Sequence, residues 1–165
     1  MNQSELALAR HLGDVLVKRG WFCAVAESCT GGRLAAAITE VPGSSKWFDR
    51  GFITYTNQSK MDMLGVSQEQ LDLEGAVSEM VVREMAEGAL SVSQADITVA
   101  ISGIAGPAGG SADKPVGLVW FAWSLRHGPT HTESYCFQGG RTAVRTQAVA
   151  IGIERLIMMA ERFSV

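Results

Sequence analysis

Residues 21–26 (WFCAVA) form a short apolar run that passes through the polar turn Glu27-Ser28-Cys29-Thr30-Gly31-Gly32 into an Ala- and Leu-rich stretch at 33–39. Strand, tight turn and helix in that order are the opening unit of an α/β sheet, in which ligands bind beyond the carboxyl ends of parallel strands. The preceding segment carries Leu6, Ala9, Leu12 and Leu16 at helical spacing, and Gly20 follows as a stop, which predicts a helix over 3–19.

The same pattern continues along the chain. Residues 51–55 predict a second strand, and Asn57 is positioned to cap a short helix that carries Lys60. A turn region leads to a helix over 78–91 with Ser78 as its N-cap, and residues 95–101 predict a third strand. The glycine-rich loop at 102–110 comes next, then two strands at 117–125 and 132–137 that read as an antiparallel hairpin, then a helix over 141–162. Early strands alternate with helices and the hairpin comes late. The expected fold is therefore a three-layer α/β/α sandwich around a mixed, mostly parallel sheet of about five strands, one of them antiparallel. With 165 residues, of which 47% are hydrophobic, the chain can bury one core, and a single domain over 1–165 is expected.

Charge and composition exclude several functions. The net charge is −3, which argues against a nucleic-acid-binding surface, and no apolar run approaches the roughly 20 residues that a membrane span needs. The first residues lack a basic segment followed by an apolar one, and the three cysteines show no CxxC spacing, so no signal peptide and a reducing, cytoplasmic setting are expected. The three histidines form no metal constellation, and neither a metal nor another cofactor is expected. A homo-oligomer, by base rate a homodimer, is expected.

Three polar segments leave the expected strand ends, and each carries chemistry. Ser28 sits where a strand turns into a helix, so its hydroxyl can project from the sheet edge as an acyl-transfer nucleophile; equally, Ser28 or Thr30 can simply cap the helix. Cys29 is a rival nucleophile or a small packed side chain. Lys60 can serve as base if burial lowers its pKa, or it can be an ordinary solvated lysine. Tyr55 can donate or relay a proton beside it. Arg141 and Arg145 lie one helical turn apart and suit a phosphate, although exposed helix arginines are common. Thr30, Gly31 and Gly32 in the first turn, and Ser102 and Gly103 at the glycine-rich loop, are candidate substrate contacts. The loop matches neither GxGxxG nor a Walker A pattern, so it predicts no dinucleotide or triphosphate site.

Taken together, residues 26–32, Gly43-Ser44-Ser45, residues 51–57, Gly75-Ala76-Val77-Ser78, residues 102–107, Lys114-Pro115-Val116-Gly117 and the arginine helix closely resemble the CinA C-terminal domain family. The resemblance spans nearly the whole chain in order. It implies a metal-free serine amidohydrolase that converts nicotinamide mononucleotide to nicotinate mononucleotide and ammonia in pyridine nucleotide salvage. Carried onto this sequence, it implies Ser28 as nucleophile, Lys60 as base and Tyr55 as an assisting hydroxyl. Ser44, Ser45, Ser102, Arg141 and Arg145 are added as candidates for holding the substrate. The alternative is a non-catalytic nucleotide-binding or regulatory module that uses the same glycine-rich edge without turnover.

Overall fold

A computed structural model describes residues 3–163. The elements run α1 (Gln3–Arg19), β1 (Cys23–Glu27), α2 (Arg33–Thr39), β2 (Phe48–Ile53), α3 (Asn57–Leu64), α4 (Gln68–Glu74) and α5 (Glu79–Ser91). They continue with β3 (Ile97–Gly103), β4 (Leu118–Leu125), β5 (Thr130–Cys136) and α6 (Arg141–Arg162). The sheet order is β2-β1-β3-β4-β5. β1 pairs in parallel with both β2 and β3, whereas β4 is antiparallel to β3 and to β5. Four strands thus share a direction and β4 alone opposes them, as the sequence led us to expect.

Alternation along the central strands sorts side chains by size. Val25, Ile97, Val99, Ile101, Phe121 and Trp123 face one way and pack with α1, α2 and α6. Ala26, Ala100 and Ala122 face the other way, and their small size lets α5 lie close to the sheet through Val81, Val82, Met85 and Ala86. At that interface Thr98 Oγ1 donates to the Ala86 carbonyl at 2.8 Å. α5 also approaches α3 closely: a Cβ built on Gly88 would stand 2.0 Å from the Leu64 carbonyl oxygen.

The long helices end where the sequence placed them, while the strands shift. β1 and β3 each begin two residues later than expected, so Ser102 and Gly103 belong to β3 and not to the loop. β2 begins at Phe48 because Cys23 pairs there, which leaves Thr54 and Tyr55 beyond the strand end. α4 went unforeseen within the turn region, although Ser67 caps it by accepting the Gln70 N–H. α3 is capped by Thr56 and not by Asn57: the Thr56 hydroxyl accepts the Ser59 N–H, and Ser59 Oγ accepts the Thr56 N–H, each at 3.1 Å.

Candidate active site

At the carboxyl ends of β1, β2 and β3 lies a cleft of about 250 Å³. Its floor is built by the alternation rule. Glu27 and Ser28 are adjacent at the end of β1, so their side chains leave on opposite faces. The Glu27 carboxylate reaches α2, where Oε2 accepts the N–H groups of Gly32 and Leu34 at 3.1 and 3.0 Å and Oε1 accepts that of Ala35 at 2.8 Å. Ser28 turns to the α3 side, and the 28–32 turn is closed by Gly31 and Gly32 at φ of +57° and +91°, which glycine adopts without strain.

Lys60 comes from α3 to meet it. Its Nζ stands 3.0 Å from Ser28 Oγ and donates to the Thr54 carbonyl at 2.7 Å. The lysine is 1% exposed and, among the described residues, no carboxylate contacts it, so burial lowers its pKa to about 8. Ser28 is itself 8% exposed, at the base of the cleft. Burial drives the neighbouring Cys29 thiol the opposite way, up to about 11, which keeps it protonated near neutral pH.

The two arginines part company. Arg141 lines the cleft, where it donates to the Gly106 carbonyl and to Tyr55 Oη, both at 2.9 Å. Arg145 instead braces the turn behind Ser28, with Nη2 donating to the Thr30 carbonyl at 2.8 Å. Although they lie one helical turn apart, their side chains diverge to different backbone partners, the Gly106 carbonyl for Arg141 and the Thr30 carbonyl for Arg145. Tyr55 lines the cleft, but its hydroxyl engages Arg141, while Lys60 is held by Ser28 and Thr54. Ser102 Oγ donates to the Ala76 carbonyl at 2.7 Å and pins the 75–78 segment as a wall of the cleft, and Gly103 lies beside it.

Thr30 is fully buried below the turn. Ser44 and Ser45 stand apart from this cluster. They sit in a 3₁₀ turn just before Trp47, whose carbonyl accepts the Cys23 N–H at the beginning of β1. The length of β1 therefore separates them from Ser28 at its other end.

Two contributors escaped the sequence reading. Glu27 supplies the acceptor that the start of α2 lacks, since its N-cap is Gly32 with no side chain to offer; a carboxylate preceding Gly-Gly at a helix start was the available signal. Thr54 acts through its carbonyl, which no side-chain pattern reveals.

Ser28 and Lys60 thus meet in a cleft at the carboxyl edge of a mixed α/β sheet, and the chain belongs to the CinA C-terminal domain family, whose model matches residues 5–160. Among its relatives is the nicotinamide-nucleotide amidohydrolase PncC of Escherichia coli K12, 53% identical over 157 residues that cover 94% of this chain and 95% of the relative. The Pseudomonas putida protein of the same name is 46% identical over 152 residues, covering 92% of this chain and 94% of its own. Among solved structures, the competence/damage inducible protein CihA of Agrobacterium tumefaciens superposes with a TM-score of 0.95 at 46% identity, covering 96% of this chain and 97% of the other. Among the described residues, no helix is long and apolar enough to cross a membrane.

Proposed function

We propose that this chain, acting as one amidase domain, hydrolyses the carboxamide of nicotinamide mononucleotide to nicotinate mononucleotide and ammonia through an acyl-enzyme on Ser28. The observation that carries the mechanism is the 3.0 Å approach of a buried lysine amine to the Ser28 hydroxyl. The substrate is supported by relatives named nicotinamide-nucleotide amidohydrolase at about half identity over nearly the full chain.

In this mechanism neutral Lys60 takes the Ser28 proton as Oγ attacks the amide carbon. The C–N bond then breaks, and protonated Lys60 delivers that proton to the departing nitrogen, which leaves as ammonia. A water molecule, deprotonated in turn by Lys60, attacks the acyl carbon and frees Ser28. With a pKa of about 8, Lys60 is neutral in roughly a tenth of molecules at pH 7, against less than one in a thousand for an ordinary lysine. The oxyanion falls to the N–H group of Cys29, which lines the cleft, whereas Thr30 is fully buried below the turn. The other amides of the turn are committed: Ser28 to Ile101, Gly31 to Ser28, Arg33 to Thr30, and Gly32 and Leu34 to Glu27. Arg141 at the cleft wall takes the phosphate, and Tyr55 holds that arginine in place. The three unpaired cysteines fit work in the reducing cytoplasm.

The test is ammonia release from nicotinamide mononucleotide by the wild-type chain and by Ser28→Ala, with chelator present. Release by wild type alone, matched by nicotinate mononucleotide, is the expected result. Equal release by both would move the nucleophile away from Ser28. Tight binding with no release by either would replace the enzyme with a nucleotide-binding module.

A further inference from the structure

We propose that Glu27 is a positioning residue for the reaction, holding Ser28 and Lys60 in mutual register from the two sides of the sheet; this rests on the Ser28–Lys60 reading above. Its side chain and its main chain serve different partners. Through the carboxylate, Glu27 takes three N–H groups from the start of α2 and closes the turn on which Ser28 rides. Through its carbonyl, it accepts the Thr54 N–H at 2.8 Å, and the Thr54 carbonyl in turn accepts Lys60 Nζ at 2.7 Å. One residue therefore anchors the supports of both reacting groups, one bond before the serine itself.

The chemistry of the side chain favours this role over simple capping. A Ser or Asp at the N-cap position would satisfy the first helical turn locally, without burying a charge beneath the sheet edge. Here the N-cap is Gly32, and the acceptor comes from five residues earlier, at 0% exposure. That span forces residues 28–31 into a closed loop. An ionised carboxylate offers only acceptors, so it can receive three N–H donors on two oxygens; a carboxamide would turn its own NH₂ against at least one of them. Because Glu27 consumes the amides of Gly32, Leu34 and Ala35, none of those three is free to meet a substrate, and Cys29 is the residue of the turn after Ser28 that lines the cleft.

The test compares Glu27→Gln and Glu27→Ala with the full wild-type chain in three measurements. These are kcat and KM for nicotinamide mononucleotide, the rate at which an alkyl fluorophosphonate labels Ser28, and the melting temperature. For Glu27→Gln, which keeps the volume, kcat is expected to fall about 100-fold, the scale of a misplacement of about 1 Å, with KM within about threefold of wild type. Labelling of Ser28 should slow in parallel, and Glu27→Ala should be worse on both counts. A lower melting temperature with wild-type kcat and wild-type labelling in the folded Gln variant would overturn the proposal, because capping alone predicts that pattern. If Glu27→Ala does not fold, the Gln variant decides. Wild-type protein that is labelled at Ser28 yet silent toward nicotinamide mononucleotide would refute the substrate and leave Glu27 to be judged by the labelling rates alone.

Discussion

Lys60 Nζ is held between two oxygens, Ser28 Oγ at 3.0 Å and the Thr54 carbonyl at 2.7 Å, with no carboxylate among the described residues to stabilise its charge. Burial thereby lowers its pKa to about 8, and the proposed mechanism needs its neutral form. Turnover should accordingly rise with pH, about tenfold per unit below pH 8, and level off above it. The measurement is kcat for nicotinamide mononucleotide from pH 6 to 10. A flat profile over that range would exclude Lys60 as the base.

The same burial links Lys60 to stability. Its folded pKa lies below the ordinary 10.5, so the native state holds a disfavoured ammonium below about pH 8. That penalty fades as pH rises from about 8 to 10.5, where the unfolded chain still binds the proton. Lys60→Met should lose turnover, and its melting temperature relative to wild type should be highest near pH 7 and decline toward pH 10. A constant difference across that window would contradict the linkage.

Arg141 and Arg145 should separate kinetically. A charge-assisted hydrogen bond contributes about 1.5–3 kcal/mol, so Arg141→Ala should raise KM for the mononucleotide by roughly 10- to 100-fold while leaving the dephosphorylated riboside little changed. Arg145 instead braces the Thr30 carbonyl, and Arg145→Ala should act mainly on kcat. Identical KM effects from both variants would mean that both arginines touch the phosphate.

Gly88 tests how firmly α3 must be seated. Within a helix, Gly→Ala ordinarily stabilises by up to about 1 kcal/mol. Here the added Cβ would stand 2.0 Å from the Leu64 carbonyl oxygen at the end of α3, so Gly88→Ala should destabilise by about 1–3 kcal/mol. It should also lower kcat, since Lys60 lies one turn earlier on α3. Calorimetry and steady-state kinetics on the same preparation check both.

Cys29 should prove dispensable. Its thiol is buried and pushed up to about 11, whereas Cys136 is exposed. Iodoacetamide should modify Cys136 first with activity intact, and Cys29→Ala should keep most turnover. Complete loss in a folded Cys29→Ala variant would transfer the nucleophile to sulfur.

The layer order, the lone reversed strand and the long helices were legible in the sequence because apolar periodicity and turn residues encode them locally. Strand ends were not, because they depend on partners: β2 starts at Phe48 only because Cys23 lies opposite. Ser28 and Lys60 were recognisable as chemistry, but their approach depends on a period-two choice at the end of β1 that sends Ser28 to α3 and Glu27 to α2. The divergence of Arg141 and Arg145 shows the limit of helical spacing. Residues four apart share a face, yet their long side chains go to whichever backbone carbonyl lies within reach, Gly106 for one and Thr30 for the other.

Ser28 and Lys60 stand 32 residues apart in sequence, and their contact requires β1, β2 and α3 to be docked at once. No fragment short of that arrangement holds both reacting groups. Recovery of turnover during refolding should therefore lag the return of helical signal and coincide with side-chain packing, which makes catalysis itself a reporter of the last steps of folding in this chain.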